Sequence, residues 1–170
     1  MYYEEVFRQL TANRVRYLVV GGIAVNLHGV PRATMDLDLM IDTARKNIEM
    51  FVSVLKELGY KPRIQENPLD LADTEKRAEW RAKKHMIAFS FYNPEVPYQQ
   101  IDVFLENPID FDEADQNKEI VSVEDIKIPI LSLDDLVRIK QLSNRLQDVS
   151  DVEALKQVKR IQKENGNEHR

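Results

Sequence analysis

The sequence predicts a mixed β-sheet flanked by helices, in an α/β or α+β domain. Short β-branched runs alternate with amphipathic helical patterns, and hairpin patterns within 86–105 and 119–131 place antiparallel strands at one edge. The 170 residues suit one domain of ordinary size, and no internal repeat, low-complexity tract or Pro/Gly-rich linker divides them. We therefore expect a single domain over residues 1–163 and a frayed polar tail over 164–170.

Five elements are predicted in the first part of the chain. Apolar residues at helical spacing predict helices, and β-branched or alternating runs predict strands. Gly21 and Gly22 end the first strand, and Gly29 and Gly59 end the two helices that follow. The predicted elements are a helix over 3–12, a strand over 16–20, a short helix over 23–28, a strand over 33–41 and a helix from a cap at Asp42 or Thr43 to Leu58.

The second part of the chain begins with a highly charged helical pattern around the lone Trp80. A hairpin follows, with its turn at 93–97, and two amphipathic patterns close the domain. The predicted elements are a helix over 68–85, strands over 86–92 and 98–105, two short strands within 119–131, a helix from Ser132 or Leu133 to Leu146 and a last helix over 149–161.

The composition excludes several classes of protein. The 24 Lys+Arg against 29 Asp+Glu give a formal charge of −5, which disfavours a non-specific nucleic-acid binder. The lack of cysteine excludes disulfide frameworks, thiolate zinc sites and cysteine nucleophiles. No apolar stretch reaches the ~18–20 residues that span a bilayer, and the N-terminus lacks a signal-peptide pattern. We expect a soluble, cytoplasmic protein without a membrane partner.

A phosphate-binding turn is predicted where the first strand ends. A strand that stops at Gly21-Gly22 and turns into a helix leaves backbone N–H groups free, and glycine lets a phosphate approach them closely. Arg32 and Thr34, on the loop that follows, are able to hold phosphate oxygens. A Gly-Gly pair taken alone is more often only a turn, so the interpretation depends on what lies beside it.

Carboxylates lie beside this turn. Asp36 and Asp38 share one face of the second strand, with Cα atoms roughly 6.5–7 Å apart, and such a pair repels unless a cation compensates it. Mg²⁺ bound by one or two carboxylates plus substrate phosphates is the common solution for nucleotides. A third carboxylate, Asp102, lies inside an otherwise apolar strand. It either pairs with a basic residue or serves as a third metal ligand and general base.

These motifs resemble the nucleotidyltransferase superfamily of the DNA polymerase beta type. The pattern is Gly21-Gly22, then Arg32-x-Thr34-x-Asp36-x-Asp38 and a later strand Asp, and it is most similar to AbiEii-type and related minimal nucleotidyltransferases. The segment 133–155 is similar to the helical part of that family, in which a Lys, an Arg and paired Asp residues recur. Many superfamily members have Gly-Ser where this chain has Gly-Gly.

The resemblance implies a nucleotidyltransferase-like fold and a metal-dependent enzyme. Such an enzyme transfers a nucleoside monophosphate from an NTP to a hydroxyl of an RNA end, a protein or a small molecule, and releases pyrophosphate. A toxin-like role with a cognate antitoxin is implied at the level of the family. The implied roles are catalysis and binding of Mg²⁺ or Mn²⁺ for Asp36, Asp38 and Asp102, and nucleotide binding for Gly21, Gly22, Arg32, Thr34 and Lys140.

Two alternatives remain open. A nucleotidyltransferase of the antibiotic-modifying type predicts a deep pocket near Asp102, whereas a non-catalytic nucleotide- or partner-binding module would only retain the fold. If the acceptor is RNA, the basic cluster over 76–84 with Trp80 is its predicted contact. Three single residues or groups also have two interpretations each. They are Lys140 (phosphate contact or solvated surface), His28 (packing or substrate contact) and the set Arg145, Asp148 and Asp151 (family motif or helix-end charges and a cap).

Overall fold

A mixed seven-stranded sheet forms the centre of the computed structural model, which describes residues 2–143 and 145–167. The strands are β1 (Tyr17–Val20), β2 (Leu37–Ile41), β3 (Lys61–Pro62), β4 (Ala88–Asn93), β5 (Val96–Phe104), β6 (Glu119–Val123) and β7 (Ile126–Ile130). The helices are α1 (Glu4–Ala12), α2 (Gly21–Leu27), α3 (Arg45–Glu57), α4 (Thr74–Lys84), α5 (Phe111–Asn117), α6 (Leu133–Gln141) and α7 (Leu146–Asn167), with a 3-10 turn at Pro68–Ala72.

The strands follow the order β3-β4-β5-β2-β1-β7-β6. β1 pairs antiparallel with β2 and parallel with β7, and β2 pairs parallel with β5, while the remaining pairs are antiparallel. All four residues of β1 are buried, so both faces of the sheet are covered at its centre. The predicted mixed sheet flanked by helices is therefore confirmed.

The second strand is shorter than its alternating pattern predicts. β2 begins at Leu37 rather than residue 33, so Asp36 lies just outside it. The alternating pattern predicts Met35 on the apolar side of the strand and Met40 on the side of Asp36 and Asp38, yet Met35 is half exposed and Met40 is fully buried. Alternation fails toward the end of this strand because β2 is buried on both faces beyond Asp38, and only Asp38 of this strand borders the cavity described below.

Several helix boundaries also differ from the prediction. Neither proposed side chain caps α3, whose N-cap is Ala44, although Asp42 Oδ1 accepts a hydrogen bond from the Ala44 N–H at 2.9 Å. The charged helix predicted over 68–85 is divided at Asp73, which caps α4 by accepting from two backbone N–H groups. α7 extends to Asn167, into the segment predicted to fray, and residues 168–170 lie outside the described part of the chain.

Trp80 belongs to the core and not to a nucleic-acid surface. Its side chain is 1% exposed and packs on Phe89 with ring centroids 5.3 Å apart. Four of the surrounding basic residues on α4 are in ion pairs with nearby glutamates: Lys76 and Lys83 with Glu79, Lys84 with Glu66, and Arg81 with Glu106. The predicted stacking platform for RNA is therefore wrong, because the one tryptophan is needed to fill the core under α4.

No helix in residues 2–143 or 145–167 is both long and apolar enough to cross a membrane.

Candidate active site

A cavity of about 830 Å³ opens at the end of β1, beside β2, β5 and α6. Its volume lies within the range of small-molecule sites. All eight residues that the sequence predicts for catalysis, metal binding and nucleotide binding line it: Gly21, Gly22, Arg32, Thr34, Asp36, Asp38, Asp102 and Lys140. Four separate parts of the chain therefore supply one site.

The Gly21-Gly22 turn is in close contact with the acidic strand. Gly21 has a φ of +62°, and a Cβ there would lie 1.9 Å from Asp38 Oδ2. A Cβ on Gly22 would lie 2.6 Å from Thr34 Oγ1 and 3.2 Å from the Arg32 guanidinium carbon. Only glycine fits at positions 21 and 22. The turn backbone, the Asp38 carboxylate and the Arg32 guanidinium therefore lie close enough together to contact the same ligand.

Sheet register brings the three carboxylates together. Val20 pairs with Asp38 across β1 and β2, and Asp38 pairs with Asp102 across β2 and β5. Directly paired residues share a face of the sheet, and Asp36 precedes Asp38 by two positions. We call Asp36, Asp38 and Asp102 the carboxylate face. Their convergence depends on the parallel pairing of β2 with β5.

Like charge and burial perturb the carboxylate face. Burial, with smaller contributions from Asp102 and Asp36, raises the pKa of Asp38 to about 6. Burial and the Asp102 charge also raise the pKa of Asp36. The Asp102 charge thus makes both Asp36 and Asp38 harder to ionise, which a bound cation would reverse.

Gln100 is a site residue that the sequence analysis missed. Its Nε2 donates to both Asp102 oxygens, at 3.1 and 3.0 Å. Its backbone is held in turn by Tyr3, whose Oη donates to the Gln100 carbonyl at 2.9 Å and accepts from its N–H at 3.0 Å. Gln100 precedes Asp102 by two positions on one strand, the same spacing that singled out Asp36 and Asp38, so strand alternation was the available signal.

A second charged cluster closes the other side of the cavity. Lys140 Nζ donates to Asp148 Oδ1 and Asp151 Oδ2, each at 2.8 Å, and all three side chains are less than 10% exposed. Arg32 also donates to Asp151, at 2.5 Å, and Arg145 Nε donates to Asp148 at 2.6 Å. We call these five residues the ion network. Asp148 lies in the first turn of α7, as the helix-end interpretation predicts, and both aspartates are in addition buried partners of Lys140.

The ion network shifts its pKa values in the opposite direction. Burial alone would raise the pKa of Asp148, but hydrogen bonds from Lys140, Ser143 and Arg145 outweigh it and lower the pKa to about 2. Lys140 and Gln147 lower the pKa of Asp151 in the same way. Here the charges compensate one another within the protein.

Arg32 has a buried N–H donor without a partner in the described chain. Its Nη1 pairs with Asp151, but its Nε is buried and has no hydrogen-bond partner within the described chain. A buried N–H without an acceptor is costly, and a ligand oxygen in the adjoining cavity would satisfy it. Arg32 is therefore the clearest sign that the cavity takes an anion.

His28 is a packing residue. Its ring is buried, with Nε2 2.9 Å from the Leu131 carbonyl oxygen and Nδ1 3.9 Å from Glu119. It does not line the cavity. Of its two interpretations, the contacts favour packing over substrate contact.

The donor chemistry of the carboxylate face suits a hard divalent cation, because Mg²⁺ prefers a few carboxylates and keeps positions for water and phosphate oxygens. No three Asp, Glu or His side chains in residues 2–143 and 145–167 converge tightly enough to form a ready-made metal site. The carboxylate face therefore fits a metal that arrives with a phosphate ligand better than an all-protein cage.

Comparison with known proteins identifies the family. A sequence profile described as aminoglycoside-2''-adenylyltransferase matches residues 3–158, more than nine-tenths of the chain. The chain belongs to the aminoglycoside-2''-adenylyltransferase family. A search of curated protein sequences finds no match.

Solved structures share the fold of this family member. Lincosamide antibiotic adenylyltransferase LnuA with lincomycin bound is 17% identical, with a TM-score of 0.60 over 91% of this chain and 96% of that chain. ANT(2'')-Ia in complex with adenylyl-2''-tobramycin is 10% identical, with a TM-score of 0.54 over 98% and 95%. An antigenic nucleotidyltransferase-like protein from Paracoccidioides brasiliensis is 18% identical, with a TM-score of 0.55 over 88% and 71%.

The predicted nucleotidyltransferase superfamily is thus confirmed, and family membership supports a nucleotidyltransferase enzyme. The narrower AbiEii-type assignment is not confirmed, because the matching family is an adenylyltransferase one. Within the predicted alternatives, the antibiotic-modifying type is the one that this family represents.

Proposed function

We propose that this protein is a metal-dependent nucleotidyltransferase that transfers a nucleoside monophosphate to a hydroxyl of a small antibiotic-like molecule. ATP is the expected donor. The observation that supports this most directly is the shared cavity, in which the carboxylate face lies against the Gly21-Gly22 turn. ATP and a small acceptor are suggested by the name of the family. Within residues 2–143 and 145–167, we find no contact that favours an RNA or protein acceptor, a toxin-like role or an antitoxin partner.

In this proposal the carboxylate face holds a divalent cation, which supplies charge stabilisation at the phosphates. The Gly21-Gly22 backbone, Thr34 and the free Arg32 Nε–H hold triphosphate oxygens. Two of the three Lys140 N–H groups donate to Asp148 and Asp151, which leaves the third for a phosphate oxygen.

The reaction is a displacement at the α-phosphorus. The acceptor oxygen forms a bond to that phosphorus, the bond to the bridging oxygen of the β-phosphate breaks, and pyrophosphate leaves. Asp102 takes the proton of the acceptor hydroxyl, with Gln100 Nε2 fixing the orientation of its carboxylate. A base held in one orientation by a neighbour is ready for proton transfer without reorganisation.

The test is transfer of label from α-labelled ATP, GTP, CTP or UTP, with Mg²⁺, to lincomycin, tobramycin, total RNA or a protein lysate. We expect label on a small molecule with ATP. Asp38→Asn and Asp102→Asn should each lower kcat by about 10³-fold, because each removes charge that the transition state needs.

Asp134→Asn is the matched control, since Asp134 is an exposed aspartate on α6 outside the cavity and pairs with Lys159. It should retain the parent rate. Undiminished transfer by Asp38→Asn would contradict the site. ATP binding that needs no Mg²⁺, with no label on any acceptor, would favour the non-catalytic module instead.

A further inference from the structure

The proposed site has two chemically different ends. Across the sheet, Val20 pairs with Asp38, Asp38 with Asp102, and Asp102 with Ser90 on β4. Neighbouring strands lie about 4.8 Å apart, so this row extends for roughly 14 Å. The Gly21-Gly22 turn lies at one end, next to Val20, and β4 lies at the other.

The geometry of the displacement reaction indicates at which end of the row the acceptor binds, and this inference rests on the proposed function. In a phosphoryl-type displacement the incoming and leaving oxygens lie roughly in line, on opposite sides of phosphorus. The proposed phosphate contacts, Gly21, Gly22 and Arg32, are at the β1 end. The acceptor then approaches from the other end, over Asp102 and β4.

Apolar side chains line the β4 end. Two positions beyond the Ser90–Asp102 pair, and therefore on the same face, Ala88 pairs with Phe104. Ile87, 81% exposed, lies beside them at the cavity rim. We call Ala88, Phe104 and Ile87 the apolar shelf.

All four carboxylates among the described residues that line the cavity already have other partners or roles. Three form the carboxylate face, and the fourth, Asp148, accepts hydrogen bonds from Lys140 and Arg145. A compound with several ammonium groups loses hydration on entering a site and needs carboxylates to compensate for it. The apolar shelf offers such a compound no compensation and suits an apolar surface.

We propose that the acceptor is a hydroxyl compound with an apolar face and at most one positive charge, which rests on the apolar shelf, and not a polyammonium sugar of the kind that the family name describes. Lincomycin, with one basic nitrogen and an alkyl-substituted ring, represents the first class, and tobramycin represents the second.

The experiment is calorimetric titration of lincomycin or tobramycin into the full chain, loaded with Mg²⁺ and a non-hydrolysable α,β-methylene ATP analogue. We expect lincomycin to bind at least about tenfold more tightly than tobramycin. Ile87→Ser should weaken lincomycin binding roughly threefold to tenfold, because an apolar contact is lost at a position too exposed to affect folding.

Ile120→Ser is the matched control: Ile120 is a half-exposed isoleucine of β6 outside the cavity, and the change should leave lincomycin binding unaltered. Ile87→Glu should improve tobramycin binding, because it places a carboxylate on the apolar shelf. Equal or tighter binding of tobramycin by the parent, no effect of Ile87→Ser, or no binding of either compound would overturn the inference. So would weaker binding of the ATP analogue to Ile87→Ser, which would assign the apolar shelf to the nucleobase.

Failure of the proposed function is separable from failure of this inference. Binding of the ATP analogue is measured first, in the parent and in Asp38→Asn, before any acceptor is added. If Asp38→Asn binds the ATP analogue and Mg²⁺ as tightly as the parent does, the proposed function is contradicted. The preference between the two acceptors, in contrast, bears only on the apolar shelf.

Discussion

The carboxylate face and the ion network border the same cavity, yet the pKa values of their aspartates shift in opposite directions. Asp36, Asp38 and Asp102 are close to one another, and the pKa values of the first two are raised. Asp148 and Asp151 are more deeply buried, but cations from α6 and other segments contact them and their pKa values are lowered. Nearby cations compensate the first cluster only in part, so burial and like charge still raise its pKa values, whereas in the second cluster the cations outweigh burial.

This difference separates a site that awaits a ligand from one that holds helices together. Uncompensated like charge destabilises the folded chain, so such a cluster persists where a ligand supplies the missing charge. A compensated buried network keeps its carboxylates paired without a ligand, even though Arg32 and Lys140 retain N–H groups for one, and its loss damages the fold. The ion network joins α6, α7 and the Arg32 loop, and it sets the wall against which the Gly21-Gly22 turn lies.

The largest effect on stability is expected from Lys140→Met. It removes the ammonium from two buried aspartates and leaves each of them with one arginine as its remaining cationic partner, so we expect a loss of about 3 kcal/mol in the free energy of unfolding, the lower end of the cost of breaking a buried ion pair. Urea denaturation at neutral pH measures this. The matched control is Lys159→Met, which breaks the exposed pair with Asp134 and should cost about 0–1 kcal/mol. Equal losses in the two variants would mean that the ion network is not a structural unit.

Next in size is the effect of Gly21→Ala. Its Cβ would overlap Asp38 Oδ2 and also lie 2.6 Å from Asp38 Cγ, so the carboxylate must move. A displacement of this kind should lower kcat/KM about 10²-fold. Gly29→Ala is the matched control, because Gly29 also has a positive φ, +93°, but has nothing within 4 Å of its Cβ position.

Both glycine variants carry the strain of a left-handed residue, about 1–2 kcal/mol, so only their difference reports the contact with Asp38. If Gly29→Ala lost as much activity as Gly21→Ala, backbone strain rather than carboxylate displacement would be responsible.

Local sequence patterns predicted the carboxylate face better than the ion network. The Gly21-Gly22 turn and the Asp36–Asp38 pair are each visible within a few residues, because strand alternation fixes which side chains share a face. That Asp102 pairs with Asp38 depends on a parallel contact between strands distant in sequence, which periodicity cannot show. The family resemblance supplied that link.

The sequence analysis named the residues of the ion network but did not predict that they pair with one another, because a charged residue on a helix is usually solvated. A signal was nevertheless present. Asp148, Asp151, Val152 and Leu155 follow the i, i+3, i+4, i+7 spacing of a single helix face, and all four are buried. Two acids on the apolar face of α7 therefore implied buried cationic partners.

The burial of Trp80 was not predicted because its neighbours in the sequence are charged, which made a core position look like a surface one.

The smallest predicted effect distinguishes the two clusters by pH in the metal-free protein. The folded pKa of Asp38, about 6, lies above its ordinary value of 3.8, so its contribution to stability is fully present below pH 4 and is lost as pH rises through 6. The folded pKa of Asp148, about 2, lies below the ordinary value, so its contribution is present above pH 4 and is lost as pH falls through 2.

We therefore expect the parent to gain about 1–2 kcal/mol from Asp38 between pH 7 and pH 5, less than the full shift would give because only part of the titration falls within this pH range. Urea denaturation in EDTA of the parent and of Asp38→Asn measures it: the difference between the two should shrink as pH falls from 7 to 5, while Asp148 keeps both stable until pH drops below 4. A difference that stays constant from pH 7 to pH 5 would show that the pKa of Asp38 is not raised in the folded chain. The contrast between the carboxylate face and the ion network would then be wrong at its central residue.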